Sequence, residues 1–347
     1  MLVLFNVVML GLDAAAIAFV AALKSRAAVA TAVVGGALAM LGLIAITGEG
    51  EFSELRLLCC GLFIHGPLVA LAMFLILYRT RRIAARVWLA LGLLLAVIGF
   101  DAFYIEPYWL QVTHLTLRSP KIEKPLRLAV IADLQTDTIG EYERDLFARV
   151  LAEKPDAILF AGDYIQVEDI DAWIEQRDRF RKLLAESGLT APLGVFAVKG
   201  NTDPVQWDEL FEGSKVRLFH FTEGVRAGEL LITGLSEEDS KNHKLQVAPS
   251  DAFQIALGHY PDYALGDVEA DLMLAGHTHG GQVRLPLIGP MMTLSRVPRN
   301  WAAGLTDRGG GKTLIVSRGA GMERGNAPRL RFLCRPELII IDLAPPE

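Results

Sequence analysis

The first third of the chain is a series of long hydrophobic runs separated by short polar loops. The runs cover about residues 1–23, 27–47, 57–77 and 87–104, and each approaches the ~20 residues that an α-helix needs to cross a bilayer. The pattern therefore predicts a four-helix transmembrane domain over residues 1–106. A cleaved signal peptide is disfavoured, because the first run has no basic segment before it and no A-x-A site between it and the next apolar run.

The pattern changes near residue 126 to short apolar runs that alternate with charged amphipathic stretches. This alternation predicts an α/β domain over 126–347, preceded by a linker with a first strand over 107–125. Helices are predicted at 141–153 and 168–187. The predicted strands are Leu126–Ala132, Ala157–Ala161, Val195–Val198, Leu230–Thr233, Ile255–Leu257, Leu272–Ala275, Thr313–Ser317 and Leu338–Asp342.

Composition agrees with a chain that is partly in lipid. Of its 347 residues, 52% are hydrophobic and 21% are charged, which is more apolar than an average soluble protein. The net charge of −6 offers no cationic surface for a phosphate backbone, so we expect no nucleic-acid partner. The three cysteines, Cys59, Cys60 and Cys334, cannot form a disulfide framework or a cysteine-type zinc site. Any metal must therefore be held by histidine, carboxylate and amide groups.

The charges of the loops predict the orientation in the membrane. Cationic residues follow the first and third hydrophobic runs, and such loops face the cytoplasm. They are Lys24 and Arg26 in one loop and Arg79, Arg81, Arg82 and Arg86 in the other. Because four spans return the chain to its starting side, the α/β domain is expected outside the cytoplasm. The predicted location is a bacterial-type cytoplasmic membrane.

Two ionisable residues, Asp13 and His65, fall inside the first and third runs. Such residues are costly in lipid and are usually paired or functional. The two runs are expected to be parallel, so the side chains can lie at similar depth. We favour a structural contact between them over a transport pathway, because one pair is too little for an ion path.

Potential metal ligands follow the apolar runs of the α/β domain. They occur in the segments IADLQ, AGDY, KGNTD, LGHYP and AGHTHGGQ and are Asp133, Gln135, Asp163, Asn201, His259, His277 and His279. Ligands gather at the carboxyl ends of strands in open α/β sheets, so we expect these side chains to converge. An isolated Asp or Asn in such a place is more often a turn residue. The combination is more specific, because two histidines two residues apart share one face of an extended segment.

These segments resemble, in order, the pattern of the calcineurin-like metallophosphoesterase superfamily: D-x-H, G-D, G-N-H-D/E, G-H and G-H-x-H. The downstream sequence is similar to the membrane-associated branch, and the resemblance covers roughly 125–343. The matching downstream residues are Leu285, Pro286, Ser317, Arg318, Gly319, Gly321, Pro328, Leu330, Pro336 and Glu337. The resemblance implies a metal-dependent phosphoric ester hydrolase with a four-layer α/β/β/α sandwich.

The resemblance also implies two divalent metal ions, with Asp163 bridging them and with Asp163, Asn201 and His277 as catalytic residues. Two cations ~3.5–4 Å apart bind the phosphoryl oxygens and lower the pKa of the attacking water. Nitrogen and oxygen ligands suit Mn, Fe or Zn. The implied ligands are Asp133, Gln135, Asp163 and His279 for one metal, and Asp163, Asn201, His259 and His277 for the other.

The sequence departs from the family pattern at two positions. Gln135 stands where D-x-H has a histidine, and its harder amide oxygen favours Mn²⁺ or Mg²⁺ over Zn²⁺. A similar D-x-Q form occurs in the Mn²⁺-dependent ADP-ribose and CDP-alcohol pyrophosphatase branch. Thr202 stands where G-N-H-D has a histidine that assists the leaving group. A missing general acid costs typically ~10²–10⁴-fold, so substrates with good leaving groups, such as pyrophosphates or activated diesters, are expected.

Several other signals are weaker. Arg318 can bind substrate phosphate or stabilise a loop, and the sequence does not decide between these roles. Gly311-Lys312-Thr313 resembles the end of a P-loop, but Thr306 occupies the position of the first glycine. His114, His220 and His243 lie outside the ligand segments and are expected in surface or loop roles.

The sequence therefore predicts a membrane-anchored phosphoester or pyrophosphate hydrolase. Because an anchor concentrates the enzyme near lipids, we expect a lipid-linked substrate, with a nucleotide diphosphate ester as the alternative. UDP-diacylglucosamine, a substrate in related branches, would need a cytoplasmic site and conflicts with the predicted topology. The rival interpretations are a catalytically degenerate fold that acts as a membrane-tethered binding module, and a small transporter with a soluble appendage. The oligomeric state is left open.

Overall fold

The computed structural model describes residues 1–346, which separate into two compact units. The helical unit consists of Met1–Ile105 with Asn326–Arg329. The sheet unit consists of Glu106–Gly325 and the C-terminal residues from Leu330.

Helices of the N-terminal segment form the helical unit. A π-helical turn, Gly61–His65, joins the third and fourth helices into the single span Glu51–Leu77. The helices are α1 Leu2–Leu23, α2 Arg26–Thr47, α3 Glu51–Cys60, α4 Gly66–Leu77 and α5 Arg82–Phe100. The four resulting spans are long and apolar enough to cross a membrane, which confirms the predicted block of four apolar helices.

Asp13 and His65 meet inside the helical unit. His65 Nδ1 lies 2.6 Å from Asp13 Oδ2, and His65 Nε2 lies 3.0 Å from Asn6 Oδ1. Each imidazole nitrogen thus has a polar partner within hydrogen-bond distance, and the side chain of His65 is buried. This is the expected contact between the first and third hydrophobic runs.

Two six-stranded mixed sheets form the framework of the sheet unit. Two further pairs of two-residue strands, β8 with β10 and β12 with β13, lie outside these sheets. In chain order the strands are β1 Gln111–Arg118, β2 Leu126–Ile131, β3 Ala157–Phe160, β4 Val195–Val198, β5 Val216–Phe219, β6 Glu223–Ala227, β7 Leu230–Gly234, β8 Gln246–Val247, β9 Phe253–Leu257, β10 Asp267–Val268, β11 Leu272–Ala275, β12 Arg284–Leu285, β13 Gly289–Pro290, β14 Gly304–Gly309, β15 Lys312–Val316 and β16 Glu337–Ala344.

The two large sheets have similar layouts. The first has the order β1-β16-β2-β3-β4-β5, and β2 to β5 run parallel. The second has the order β14-β15-β11-β9-β7-β6, and β15, β11, β9 and β7 run parallel. Parallel strands are covered on both faces, which explains why they read as continuous apolar runs.

The hydrophobic core lies in three layers around the sheets. One cluster fills the space between the sheets, with Leu128 and Leu159 from the first facing Ile232 and Leu274 from the second. A second cluster packs the outer face of the first sheet against α6 Glu141–Ala152 and α7 Ile170–Ser187. This arrangement confirms the predicted α/β class.

The outer face of the second sheet is covered differently. Its buried cluster includes Leu235, Tyr263 and Val268, which belong to loops and to short elements rather than to a long helix. The helix on this side, α8 Glu237–Lys241, has five residues. The fourth layer implied by the family resemblance is therefore built from short segments.

The predicted helices and central strands agree with the structure to within about two residues at each end, as expected for helix and strand boundaries. The edge strands β5, β6 and β14 were not predicted. Their burial alternates or is low, so they lack the continuous apolar runs of the central strands.

Candidate metal centre

The loops at the carboxyl ends of adjacent central strands carry the candidate ligands. In the first sheet β2, β3 and β4 are neighbours, and in the second β9 and β11 are neighbours. These five strands are followed by the loops that contain Asp133, Asp163, Asn201, His259 and His277. The topology therefore brings residues from five separate segments to one edge of the sandwich.

The backbone at these loops is unusual. Five of the seven candidate ligands have positive φ: Asp133 at 47°, Gln135 at 33°, Asp163 at 59°, His277 at 68° and His279 at 48°. Residues other than glycine seldom adopt this conformation, and those that do cluster at functional sites. Because this backbone conformation costs free energy, it indicates that the loops hold specific side chains in fixed orientations.

Two buried carboxylates and an imidazole form the centre of the cluster. Asp133, Asp163 and His259 each offer a ligand atom, and these atoms lie within 4.8 Å of one another. His259 Nε2 lies 3.4 Å from Asp163 Oδ2, and His259 Nδ1 lies 3.7 Å from Asp133 Oδ1. Gly276 is needed beside them, since a Cβ there would be 2.7 Å from Asp133 Oδ2.

Asn201 lies between two imidazoles. Its Oδ1 is 2.8 Å from His259 Nε2 and 2.9 Å from His277 Nδ1. The other ring nitrogens face the carbonyls of Ala161 at 2.8 Å and Leu294 at 3.0 Å. Carbonyl oxygens only accept hydrogen bonds, so these nitrogens carry the protons and the nitrogens near Asn201 carry lone pairs. Three electron-pair donors therefore point toward one another, an arrangement that a cation between them would stabilise.

Three further ligand atoms are buried without a hydrogen-bond partner. They are Asp133 Oδ2, Gln135 Oε1 and His279 Nε2, and all three residues are less than 5% exposed. Buried polar atoms almost always have a partner. Gly319 lies against both Asp133 and His279, which places those two side chains side by side. The unpaired atoms fit the donor set of a bound metal ion.

The carboxylates have pKa values that are unusual for acids. Burial raises the pKa of Asp163 to about 7, opposed by the hydrogen bond that the N–H of Thr202 donates. Burial and the charge of Asp163 raise the pKa of Asp133 well above its ordinary value. The raised pKa values mean that the protein alone disfavours the charged form of these carboxyl groups, and a bound metal would supply the positive charge that stabilises it.

The imidazoles are neutral at physiological pH. Burial lowers the pKa of His259 to about 4 and that of His277 to about 3. Burial, with the charge of Arg331, lowers the pKa of His279 well below its ordinary value. Neutral imidazole is the form that binds metals, so all three rings are ready for coordination.

Gln135 is oriented by carboxylates. Its Nε2 donates to Asp163 Oδ2 at 3.1 Å and to Glu323 Oε2 at 3.3 Å. Carboxylates that accept the amide protons fix the nitrogen on their side, so Oε1 is the amide atom that is left without a partner. Gln166 Nε2 in turn donates to Glu323 Oε1 at 2.6 Å. Glu323 was not predicted from the sequence, because nothing near it in the chain resembles a ligand motif.

Asp203 fixes the two loops that carry Asp163 and Asn201. Its carboxylate accepts hydrogen bonds at 2.8 Å from the backbone N–H groups of Asp163, Tyr164 and Gly200. This role of Asp203 was not predicted from the sequence. The signal was its place in the KGNTD segment, next to a candidate ligand.

Arg331 lies fully buried beneath the site. Its guanidinium donates to the backbone carbonyls of Gly321 and Cys334 at 2.8 and 3.0 Å and to that of Arg318 at 2.7 Å. These bonds hold the chain from Arg318 to Gly321, which passes beside Asp133 and His279. The sequence analysis did not identify Arg331.

Arg318 is engaged in an ion pair. Its Nη2 donates to Glu337 Oε1 at 2.8 Å, and its backbone N–H donates to Glu337 Oε2 at 3.1 Å. Glu337 is 4% exposed. This buried pair competes with the suggested binding of substrate phosphate by Arg318 and fits the loop-stabilising role.

The remaining histidines have other partners. His114 Nε2 lies 3.1 Å from Glu153 Oε2, and His243 Nδ1 lies 3.0 Å from Arg296 Nη1. His220 packs against Trp207 with their ring centroids 5.6 Å apart. Lys312 belongs to β15 and pairs with Glu269, so the residues that resemble a P-loop end lie on a strand.

Known proteins resemble this chain over the same region. Residues 126–281 match the family model described as calcineurin-like phosphoesterase. The metallophosphoesterase YkuE of Bacillus subtilis is 29% identical in an alignment of 286 residues, and the match covers 74% of this chain and 93% of the relative. The phosphodiesterase YaeI of Escherichia coli is 29% identical over 265 residues, 69% of this chain and 90% of the relative.

A third relative has a named substrate. The UDP-2,3-diacylglucosamine pyrophosphatase LpxG of Chlamydia trachomatis is 25% identical in an alignment of 317 residues. The match covers 69% of this chain and 91% of the relative.

Proposed function

Because residues 126–281 form the calcineurin-like phosphoesterase domain of a hydrolase, we propose that this chain is a membrane-anchored phosphoester or pyrophosphate hydrolase that uses two divalent metal ions. The observation that carries the proposal is the buried cluster of Asp133, Asp163 and His259, whose ligand atoms lie within 4.8 Å of one another. Gln135 and His279, which lie beside these carboxylates, also hold buried polar atoms that have no hydrogen-bond partner.

The proposed metal ligands follow from this cluster. Asp133, Gln135 and His279 supply the unpaired buried atoms of one position. Asn201, His259 and His277 surround the other, and Asp163 contacts both groups. Divalent cations held there would bind phosphoryl oxygens and lower the pKa of the attacking water. The amide oxygen of Gln135 favours Mn²⁺ among the candidate metals.

Thr202 limits which leaving groups the proposed enzyme can release. Thr202 donates its backbone N–H to Asp163 Oδ1 at 2.9 Å, and a threonine hydroxyl is a poor proton donor at neutral pH. We infer that the leaving group departs without protonation from this position. This favours a phosphate or an acidic alcohol as the leaving group and therefore a pyrophosphate or an activated diester as the substrate.

Lipid-linked substrates are the favoured class. The four apolar spans would hold the hydrolase domain near a bilayer, and LpxG is named for a pyrophosphate substrate that carries acyl chains. A nucleotide diphosphate ester without a lipid is the alternative. The orientation of the chain decides whether the substrate is cytoplasmic, as it would be for a nucleotide-linked lipid precursor.

A substrate screen tests the proposal. Purified full-length chain loaded with Mn²⁺ is incubated with an aryl phosphodiester, a nucleoside diphosphate ester and a lipid pyrophosphate. The expected result is Mn²⁺-dependent turnover, with the lipid pyrophosphate best. The matched control is Asp163→Asn, which keeps the size of the side chain and removes the negative charge. Metal binding with no turnover of any substrate would instead favour the membrane-tethered binding module.

A further inference from the structure

An apolar hairpin projects from the sheet unit next to the candidate metal centre. Strands β12 and β13 pair antiparallel, and Leu285 lies opposite Gly289. Between them, Leu287 is 109% exposed and Ile288 is 60% exposed. We call residues 285–294 the apolar hairpin; the segment reads LPLIGPMMTL and contains no charged residue.

The tip of this hairpin does not follow ordinary turn chemistry. Leu287 has φ of 68°, a conformation for which turns normally use glycine or asparagine. A leucine at such a place costs conformational energy and also exposes an apolar side chain to water. A glycine or asparagine would reverse the chain without these two costs. The presence of an exposed leucine at this position therefore requires an explanation.

The sequence around the hairpin is cationic, although the carboxylate of Asp262 accepts hydrogen bonds from Ser295 Oγ and from the Arg296 N–H. Residues 284–299 contain Arg284, Arg296 and Arg299 and no carboxylate, although the whole chain carries a net charge of −6. Arg296 and Arg299 are exposed. Apolar side chains flanked by arginines are the pattern of elements that bind at the interface of anionic membranes.

The hairpin is connected directly to the metal centre. The carbonyl of Leu294, its last residue, lies 3.0 Å from His277 Nε2. On β13, Pro290 lies so close to Gly281 that a Cβ on the glycine would be 2.5 Å from the Cβ of Pro290. A surface bound by the hairpin would therefore be near the ligand residues.

We propose that the apolar hairpin inserts Leu287 and Ile288 into the lipid interface and so presents the metal centre to phosphate groups at the membrane surface. The partner is the bilayer itself. It is chosen over a second protein copy because the same chain carries four membrane-length apolar helices and because the arginines complement anionic headgroups. The proposal deepens the proposed function and rests on it for the lipid-linked substrate.

Spin-label accessibility tests the insertion directly, without any need for turnover. The full-length chain with Cys59→Ala and Cys60→Ala is labelled at Ile288→Cys and reconstituted as one chain per nanodisc with anionic lipid. Ile170 is the matched control position, since it is 62% exposed and lies at the start of α7. Cys334 is buried, and the protein with only Cys59→Ala and Cys60→Ala gives the background of label at that residue.

The expected result is that the label at 288 collides with dissolved oxygen and loses collisions with a water-soluble nickel chelate, whereas the label at 170 does the opposite. Equal exposure to the nickel chelate at both positions would overturn the insertion. Protection at 288 that appears only in discs holding two chains would also overturn it, because the occupant would then be a second copy.

Kinetics separate this proposal from the proposed function. Leu287→Asp with Ile288→Asp should leave hydrolysis of bis(p-nitrophenyl) phosphate unchanged. The same variant should slow hydrolysis of a lipid with a nitrophenyl phosphodiester headgroup roughly tenfold, the effect of losing the burial of apolar side chains. Ile170→Asp should change neither rate. Equal losses on both substrates would contradict the role of the hairpin, whereas inactivity of the wild type on both would contradict the proposed function alone.

Discussion

Thr202 is the residue whose chemistry most limits what this site can do. Its backbone N–H donates to Asp163, and its hydroxyl group is buried beside the same carboxylate. The neighbouring Asp203 already accepts hydrogen bonds from three backbone N–H groups, so its carboxylate has little remaining capacity to orient a new proton donor. Leaving-group protonation at this position is therefore absent in the wild type and hard to restore.

We predict that the wild type hydrolyses an aryl phosphodiester far faster than an alkyl one, because only the alkyl leaving group needs a proton in the transition state. Thr202→His should accelerate the alkyl ester selectively, by at most ~10²-fold, since the imidazole lacks an orienting partner. Values of kcat/KM for both esters in both proteins provide the measurement. Equal wild-type rates for the two esters would show that another residue supplies the proton.

The buried carboxylates predict how metal binding depends on pH. The pKa of Asp163 is raised to about 7 and that of Asp133 is raised as well, so protons compete with the metal below pH 7. The imidazoles of His259 and His277, with pKa values lowered to about 4 and about 3, do not compete in this range.

The apparent affinity for Mn²⁺ should therefore rise as the pH increases from 5.5 to 7.5, by about tenfold per pH unit for each proton released. Calorimetric titrations in two buffers of different ionisation enthalpy measure both the affinity and the released protons. Binding that is independent of pH and releases no proton would disprove the role given to the carboxylates.

The sequence predicted ligand types well and supporting residues poorly. Asp133 and His259 follow apolar strands and lie in short recognisable segments, so both could be identified. Glu323 could not, because it acts through a contact with Gln135, which is far away in the sequence. Arg331 could not, because it binds backbone carbonyls, and no side-chain pattern marks those partners. Only the folded topology brings such pairs together.

At the scale of elements, a strand could be predicted when all of its residues are buried, because its sequence is then a continuous apolar run. Strands β3 and β4 are buried at every position, and their apolar runs are unmistakable. The edge strands β6 and β14 expose alternate or most residues and contain Gly224 and Gly304. These edge strands form because they pair with the neighbouring strands β7 and β15, and their own hydrophobic pattern does not predict that pairing.

The contact between α1 and the π-helical turn predicts an effect on packing of the helical unit. Asp13→Leu leaves His65 without its 2.6 Å partner. Interhelical polar contacts in membranes contribute roughly 0.5–2 kcal/mol each, so the variant should unfold at lower denaturant concentration in detergent. Thr47→Ala is the control, because its hydroxyl bonds within its own helix. Unchanged stability of Asp13→Leu would show that the contact has no structural value.

At the scale of the whole molecule, the distribution of charge between loops is the feature that fixes orientation. The loops after the first and third spans are cationic, whereas the loop after the second contains Glu49, Glu51 and Glu54. By the positive-inside rule, we propose that the sheet unit lies outside the cytoplasm. This orientation bears on the substrate, because nucleotide-linked lipids are available on the cytoplasmic side.

A reporter fused to the C-terminus tests the orientation. We predict that an alkaline phosphatase fusion is active and a green fluorescent protein fusion is dark, as expected for an extracytoplasmic end. Substituting Arg79, Arg81 and Arg82 by Glu should weaken this preference. A signal only from the fluorescent fusion would reverse the topology and would favour a cytoplasmic pyrophosphate substrate like that named for LpxG.

The central claim is that Asp163 joins two metal positions in one hydrolytic site. Asp163→Ala removes the carboxylate that contacts both Gln135 and His259. Asp163→Asn keeps the shape and guards against a variant that fails to fold. Asp178→Ala, at an exposed carboxylate on α7, is the control for loss of one negative charge.

The most direct measurement is the metal content of the purified full-length chain after loading with Mn²⁺ and removal of free ions. We predict two bound metals per chain for the wild type and for Asp178→Ala, and nearly none for both Asp163 variants, because a bridging ligand serves both positions. Two metals retained in Asp163→Asn and Asp163→Ala, or none in the wild type, would contradict the account.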